Sequence, residues 1–116
     1  MTEIVLYGIP NCDTVRKARK ALDAAGVEHR FHDFRKDGVD EAQLRRWVEA
    51  LGWEALVNRR GTTWRRLPEE QRQSLDAETA IALMGEHPAL IKRPVIERDG
   101  DVTVGWTPDI ATALGA

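Results

Sequence analysis

The chain has a single cysteine, Cys12, in 116 residues, so no internal disulfide framework holds its fold together. Its three histidines, His29, His32 and His87, are scattered without metal-ligand spacing, which argues against a zinc site. His29 and His32 also differ in strand parity, which predicts opposite faces. Aromatic residues are only 6% of the chain, and Trp47, Trp53, Trp64 and Trp106 read as packing residues before stacking platforms. A formal net charge of −2 supplies no global field for nucleic acid. No apolar run reaches the length that spans a bilayer. "MTEIVLYG" lacks a basic segment followed by a long apolar stretch, so no signal peptide is expected and a reducing cytoplasm is the expected location. Repeats, low-complexity tracts and long linkers are missing too, so residues 1–116 read as one domain.

What is present suffices for a core: 42% of residues are hydrophobic. Charged residues make up 31%, and the basic ones are mostly arginine in local clusters. Arginine is the better residue for forked recognition of oxyanions.

"EIVLYG" (Glu3–Gly8) predicts a buried strand. "NCDTVRKARKALDAAG" then switches to helical spacing, with Val15, Ala18 and Leu22 on one face and Gly26 as the stop. "VEHRFHDF" (Val27–Phe34) predicts a second strand, parallel to the first through a right-handed crossover. "DEAQLRRWVEALG" reads as a helix capped by Asp40, with Leu44, Trp47, Val48 and Leu51 as its apolar stripe. "NRRGTTWRRLP" reads as a loop. Two further helices start near Pro68 and Asp76, with Pro88 as a stop. A hairpin is expected around Asp99-Gly100, then a last helix capped by Thr107 with Pro108 in its first turn.

The expected fold class is therefore α/β: a four-stranded mixed sheet in βαβ and ββα halves, with an inserted helical subdomain. That is the thioredoxin-like layout, with residues 1–35 and 88–116 as the core and 36–87 as the insert.

A free cysteine is usually a small buried hydrophobe. Cys12 departs from that pattern in three ways. It follows a strand between polar Asn11 and Asp13. It falls at the first turn of a helix, where unpaired N–H groups and the helix dipole favour an anion. Arg16, four residues on, can lie over the same helical face. Asp13 opposes ionisation unless it faces solvent. The balance favours a reactive thiolate with a lowered pKa. "CDTV" carries one sulfur where thioredoxins place two, so any adduct at Cys12 needs an external thiol, and glutathione is the abundant one.

"NRRGTTWRR" groups Arg59, Arg60, Arg65 and Arg66. Singly each reads as a solvated charge; together they suit an anion pocket, with Arg60 the choice among them. In "IKRPVI", a proline at a strand entry is restricted to edges, first positions and cis turns. Thioredoxin-like folds carry a cis-proline at this point that brings its loop up against the cysteine, so the resemblance to that layout implies a cis Pro94 with Arg93 projecting toward Cys12; the alternative for Arg93 is a surface ion pair. Tyr7, Asn11 and Thr14 are supporting candidates around the cysteine loop.

"YGIPNCDTVRKA", "LGWEALVNRRGTTWRRL", "HPALIKRPVI" and the final "GW" segment together resemble the arsenate-reductase-like ArsC family over essentially the whole chain. The resemblance is strongest to its small YffB-type branch of glutathione-dependent thiol reductases. It implies a thioredoxin-like fold with a helical insert and a nucleophilic Cys12. Members that reduce arsenate place three arginines around that cysteine. Arg93 matches the second. At the first, a gapless reading puts Asn58, leaving Arg60 nearby. The third is missing, with Trp106 and Thr107 in its region, which puts arsenate itself in doubt.

The expected function is a glutathione-dependent monothiol oxidoreductase. Cys12 attacks a mixed disulfide or a small oxyanion, and Arg93, Arg60 and Arg16 hold the anionic group. Glutathione is the co-substrate, glutaredoxin a further partner, and no bound cofactor, nucleic acid or membrane is expected. The alternative, also implied by the resemblance, is a regulator of the Spx type that binds RNA polymerase without turnover. The lost second sulfur of a C-x-x-C switch counts against it.

Overall fold

The computed structural model describes residues 3–116. Its elements run β1 (Ile4–Gly8), α1 (Asp13–Ala24), β2 (Arg30–Asp33), α2 (Phe34–Asp37), α3 (Glu41–Leu51), α4 (Trp53–Leu56) and α5 (Thr62–Arg66). There follow α6 (Glu69–Gln73), α7 (Ala77–Glu86), a 3-10 turn at Pro88–Leu90, β3 (Val95–Arg98), β4 (Asp101–Val104) and α8 (Pro108–Ala113). They form two compact units: a sheet unit, up to Asp37 and again over Arg93–Ala116, and a helical unit, Gly38–Lys92. No helix among the described residues is long and apolar enough to cross a membrane.

The sheet unit has strand order β2-β1-β3-β4, with β1 and β2 parallel and the other pairs antiparallel. This is the expected βαβ and ββα arrangement. Strand alternation sends Ile4 and Leu6 to one face, where they meet Ala18 and Leu22 of α1, Ile96 of β3 and Leu114. Helical spacing does the rest: Val15, Ala18 and Leu22 are fully buried, while the intervening Arg16 and Lys17 stay exposed. Asp99 and Gly100 both take positive φ (50° and 84°), as a two-residue hairpin turn of this hand requires. Thr107 caps α8, its Oγ1 accepting from the Ile110 N–H at 3.2 Å.

The second strand is shorter than its apolar pattern predicts. Gly26 turns the chain at φ 70°. Val27 N–H then donates to the Leu22 carbonyl at 2.9 Å, and His29 Nδ1 lies 2.9 Å from the Val27 carbonyl. These local bonds hold residues 27–29 as a loop, so His29 lies outside the strand that carries His32. At the other end Phe34 opens α2, because the Asp33 carboxylate accepts from the Arg35 N–H at 2.8 Å and starts a helical turn.

The helical unit is built on α3 and α7, which pack together. Each opens with a capping box, Asp40 with Gln43 and Asp76 with Thr79. Trp47, Ala80 and Met84 are fully buried. An Arg45–Glu78 fork at 2.8 and 3.0 Å joins the two helices on their exposed side. Residues 56–58 meet 90–92 through the Val57–Ile91 bridge, flanked by Lys92 N–H to Leu56 O at 2.7 Å and Asn58 N–H to Leu90 O at 2.8 Å. Part of the expected loop "NRRGTTWRRLP" is helical. Gly61 is extended at the N-cap of α5, and its carbonyl accepts from the Arg65 N–H at 3.3 Å. The glycine that suggests a break in the sequence is a helix start.

Candidate active site

The sheet unit brings Cys12 and Arg93 together. Gly8 ends β1, and a turn follows in which the Cys12 N–H donates to the Ile9 carbonyl at 3.4 Å. That turn leaves Cys12 as the N-cap residue of α1, in extended backbone (φ −98°, ψ 127°). An N-cap side chain points toward the N–H groups of the second and third helical residues, here Thr14 and Val15. A serine or aspartate oxygen at this place closes a cap hydrogen bond; the sulfur does not close one of ordinary geometry. It is held near those donors as a partly exposed thiol.

Arg93 arrives from the other side, at the entry to β3, where the Arg93–Pro94 peptide bond is cis as the sequence predicts. Pro94 is buried, and its carbonyl accepts from the Gly105 N–H at 2.8 Å. The electrostatics follow from this geometry. Partial burial pushes the Cys12 thiol up. Opposing it are the Val15 N–H, the Arg93 guanidinium by hydrogen bond and by charge, and the Thr14 N–H. Together they outweigh burial, and the thiol lies below its ordinary value.

The other anticipated residues are placed as follows. Arg16 does not act on the sulfur in this arrangement. Its Nη1 lies 3.4 Å from Asp13 Oδ1, and its Nε donates to the Pro10 carbonyl at 3.3 Å. Asp13, whose side chain is 97% exposed, points to solvent and takes up Arg16, so the two i,i+3 charges compensate each other. Asn11 is exposed in the turn, and Thr14 contributes its backbone N–H. Tyr7 is buried, and its hydroxyl donates to Glu97 Oε1 at 2.5 Å; its ring packs 5.0 Å from that of His32 and 6.5 Å from that of Phe34. It is a packing and tethering residue rather than one presented to substrate.

Arg60 belongs to the helical unit. Its N–H donates to Asn58 Oδ1 at 3.1 Å, and its carbonyl accepts from Arg65 Nη2 at 3.1 Å. Arg59 lies over the rings of Trp53 and Trp64, at 5.6 and 5.9 Å. Arg59 and Arg60 line a cleft of about 480 Å³ with Asn58 and Lys92. Arg65 is turned onto backbone, its Nη2 on the Arg60 carbonyl, and does not line that cleft. In the region of the missing third arginine, Trp106 packs on the core of the sheet unit and Thr107 caps α8.

Two contributors escaped the residue-type reading. Val15 supplies a donor as well as a core side chain; its signal was its place three residues after an N-cap. Glu97 draws no reading in the sequence, although alternation in "VIER" sets it on the face of β3 that carries Val95, beside Tyr7 of β1.

A thiol at a helix N-terminus, facing an arginine that precedes a cis-proline on a thioredoxin-like sheet, defines a class of thiol-based proteins. The sequence pattern of the ArsC family matches residues 7–114, and the chain belongs to that family. It is similar to an uncharacterized protein of Haemophilus influenzae, 48% identical over 103 residues, covering 89% of this chain and 90% of that one. Among solved structures, the YffB protein is 48% identical with a TM-score of 0.93, covering 97% of this chain and 99% of that one. An arsenate reductase (ArsC) related protein from Brucella melitensis is 46% identical with a TM-score of 0.78, covering 96% and 92%. The global transcriptional regulator Spx of Bacillus subtilis is more distant, 27% identical over 109 residues, covering 91% of this chain and 82% of that one.

Proposed function

We propose that this chain is a monothiol reductase of glutathione mixed disulfides, with the Cys12 thiolate as nucleophile and glutathione as the external reductant. The observation that carries the reading is the Cys12 sulfur itself, partly exposed and flanked by the Val15 and Thr14 N–H groups and the Arg93 guanidinium. The chain has no second cysteine to complete a dithiol cycle.

The thiolate attacks the glutathione sulfur of a mixed disulfide R–S–SG. A bond forms between Cys12 Sγ and that sulfur, the disulfide S–S bond breaks, and RS⁻ leaves to take a proton from water. A glutathione thiolate then attacks the adduct, releasing oxidised glutathione and the Cys12 thiolate. The net reaction converts R–S–SG and glutathione into RSH and oxidised glutathione. Helix N–H groups and Arg93 stabilise the anion at the start and end of each cycle, and Arg93 is placed to hold a substrate carboxylate.

Arsenate reduction, the narrower activity named for one similar structure's relatives, lacks support at the third arginine. Losing a charged partner for a buried oxyanion commonly costs about 1.5–3 kcal/mol. We therefore assign mixed disulfides as the substrate class. A regulatory role of the Spx type needs no turnover, which separates the two readings. The test is a glutathionylated peptide with excess glutathione and glutathione reductase, followed by NADPH oxidation. Many turnovers per chain are expected; none above the uncatalysed rate contradicts the reading.

A further inference from the structure

Gly8 ends β1 and precedes the turn to Cys12, and its backbone is not in the left-handed region. Its conformation therefore demands no glycine. Space does. A Cβ built on Gly8 falls 2.8 Å from Val15 Cγ2 and 3.7 Å from Val15 Cγ1, and 3.8 Å from Arg93 Cβ. Val15 is fully buried in α1 and has no room to retreat alone. The two residues that close on Gly8 are the same two that act on the sulfur, Val15 through its backbone N–H and Arg93 through its guanidinium.

We propose that Gly8 is a positioning residue: its missing side chain lets the first turn of α1 and the entry to β3 close together around the Cys12 sulfur. An added methyl group pushes Val15, and the helix turn carrying its N–H, away from β1. The donor then moves off the sulfur, because a buried helical valine is confined to one strongly preferred χ1 rotamer and passes the displacement to its backbone. Arg93, in van der Waals contact with the same point, limits escape in the other direction. The proposal rests on the reading of Cys12 as a functional thiolate.

Three proteins test it, Gly8→Ala, Val15→Ala and the double variant, alongside wild type. The readouts are the pH midpoint of Cys12 alkylation by iodoacetamide and the thermal midpoint. Gly8→Ala is expected to raise the alkylation midpoint by about 0.5–1 unit, part of the 1–2 units that a full charge-assisted hydrogen bond represents. The double variant, with the clash removed, is expected to return within about 0.3 unit of Val15→Ala, the alanine having made room. A glycine needed only for stability lowers the thermal midpoint and leaves the thiol unmoved, and that result overturns the proposal. Should Gly8→Ala not fold, recovery of folding and of the midpoint in the double variant supports it; a double variant that stays unfolded overturns it. An ordinary thiol midpoint in wild type instead defeats the functional reading, which keeps the two failures distinct.

Discussion

Cys12→Ser is expected to lower turnover by roughly three orders of magnitude or more while leaving the chain as stable as wild type or slightly more so. Both halves come from one position. Cys12 is the N-cap of α1, and serine is among the best residues there: its hydroxyl accepts from the second or third helical N–H, which the sulfur does not do with ordinary geometry. A cap of this kind contributes about 1 kcal/mol relative to alanine. The chain therefore carries at its N-cap a residue that caps worse than the one-atom replacement. What sulfur adds is acidity and nucleophilicity: the Val15 N–H, Arg93 and the Thr14 N–H hold the thiol below its ordinary value, and a serine hydroxyl stays neutral. Coupled turnover and thermal melts on the two proteins check this. A serine variant that keeps its activity removes Cys12 as nucleophile; one that unfolds shows the sulfur to be a packing residue.

Arg93→Ala is expected to raise the Cys12 alkylation midpoint by about 1–2 units, the value of a hydrogen bond to a charged group. The sign follows from the charge form: the guanidinium stabilises the thiolate and not the neutral thiol, so its removal leaves burial, which favours the thiol, less opposed. At neutral pH the rate should fall by about 10–100-fold. Ionisation supplies only part of that loss, because a less acidic thiolate is intrinsically the stronger nucleophile. The remainder is the anionic group that Arg93 holds. At a pH above both alkylation midpoints, where both thiols are ionised, a residual deficit of several-fold is therefore expected. A variant faster than wild type there, as its more basic thiolate alone would make it, restricts Arg93 to ionising the sulfur. Arg93→Lys should recover most of the thiol midpoint but less of the rate, since an ammonium supplies charge without the planar fork.

These variants also show where sequence was sufficient. Strand β1, helix α1 and the Asp99-Gly100 hairpin follow from period and turn chemistry alone, because each is decided by residues adjacent in the chain. So were the two capping aspartates, Asp40 and Asp76. Cys12 and Arg93, 81 positions apart in sequence, were paired through the thioredoxin-like layout, which predicts a cis-proline loop against the cysteine. What stayed hidden depends on direction. Arg16 has the right spacing to reach the sulfur, yet Asp13 one turn earlier and the Pro10 carbonyl take its guanidinium. "NRRGTTWRRLP" has loop composition, and a helix forms within it because an extended glycine serves as a cap. The value of Gly8 lies in a 2.8 Å approach that composition does not record. Glu97 draws no reading until Tyr7, 90 residues away, is set beside it.

The central claim is that the Cys12 sulfur is held as an anion by two backbone donors and one arginine. The most direct measurement is the rate of Cys12 alkylation by neutral iodoacetamide across pH 4–11, on the wild-type chain without substrate. The account predicts a single sigmoid with its midpoint clearly below about 8.5, the value of an unperturbed cysteine. A midpoint at or above that value contradicts it, because burial would then have outweighed every group brought to the sulfur.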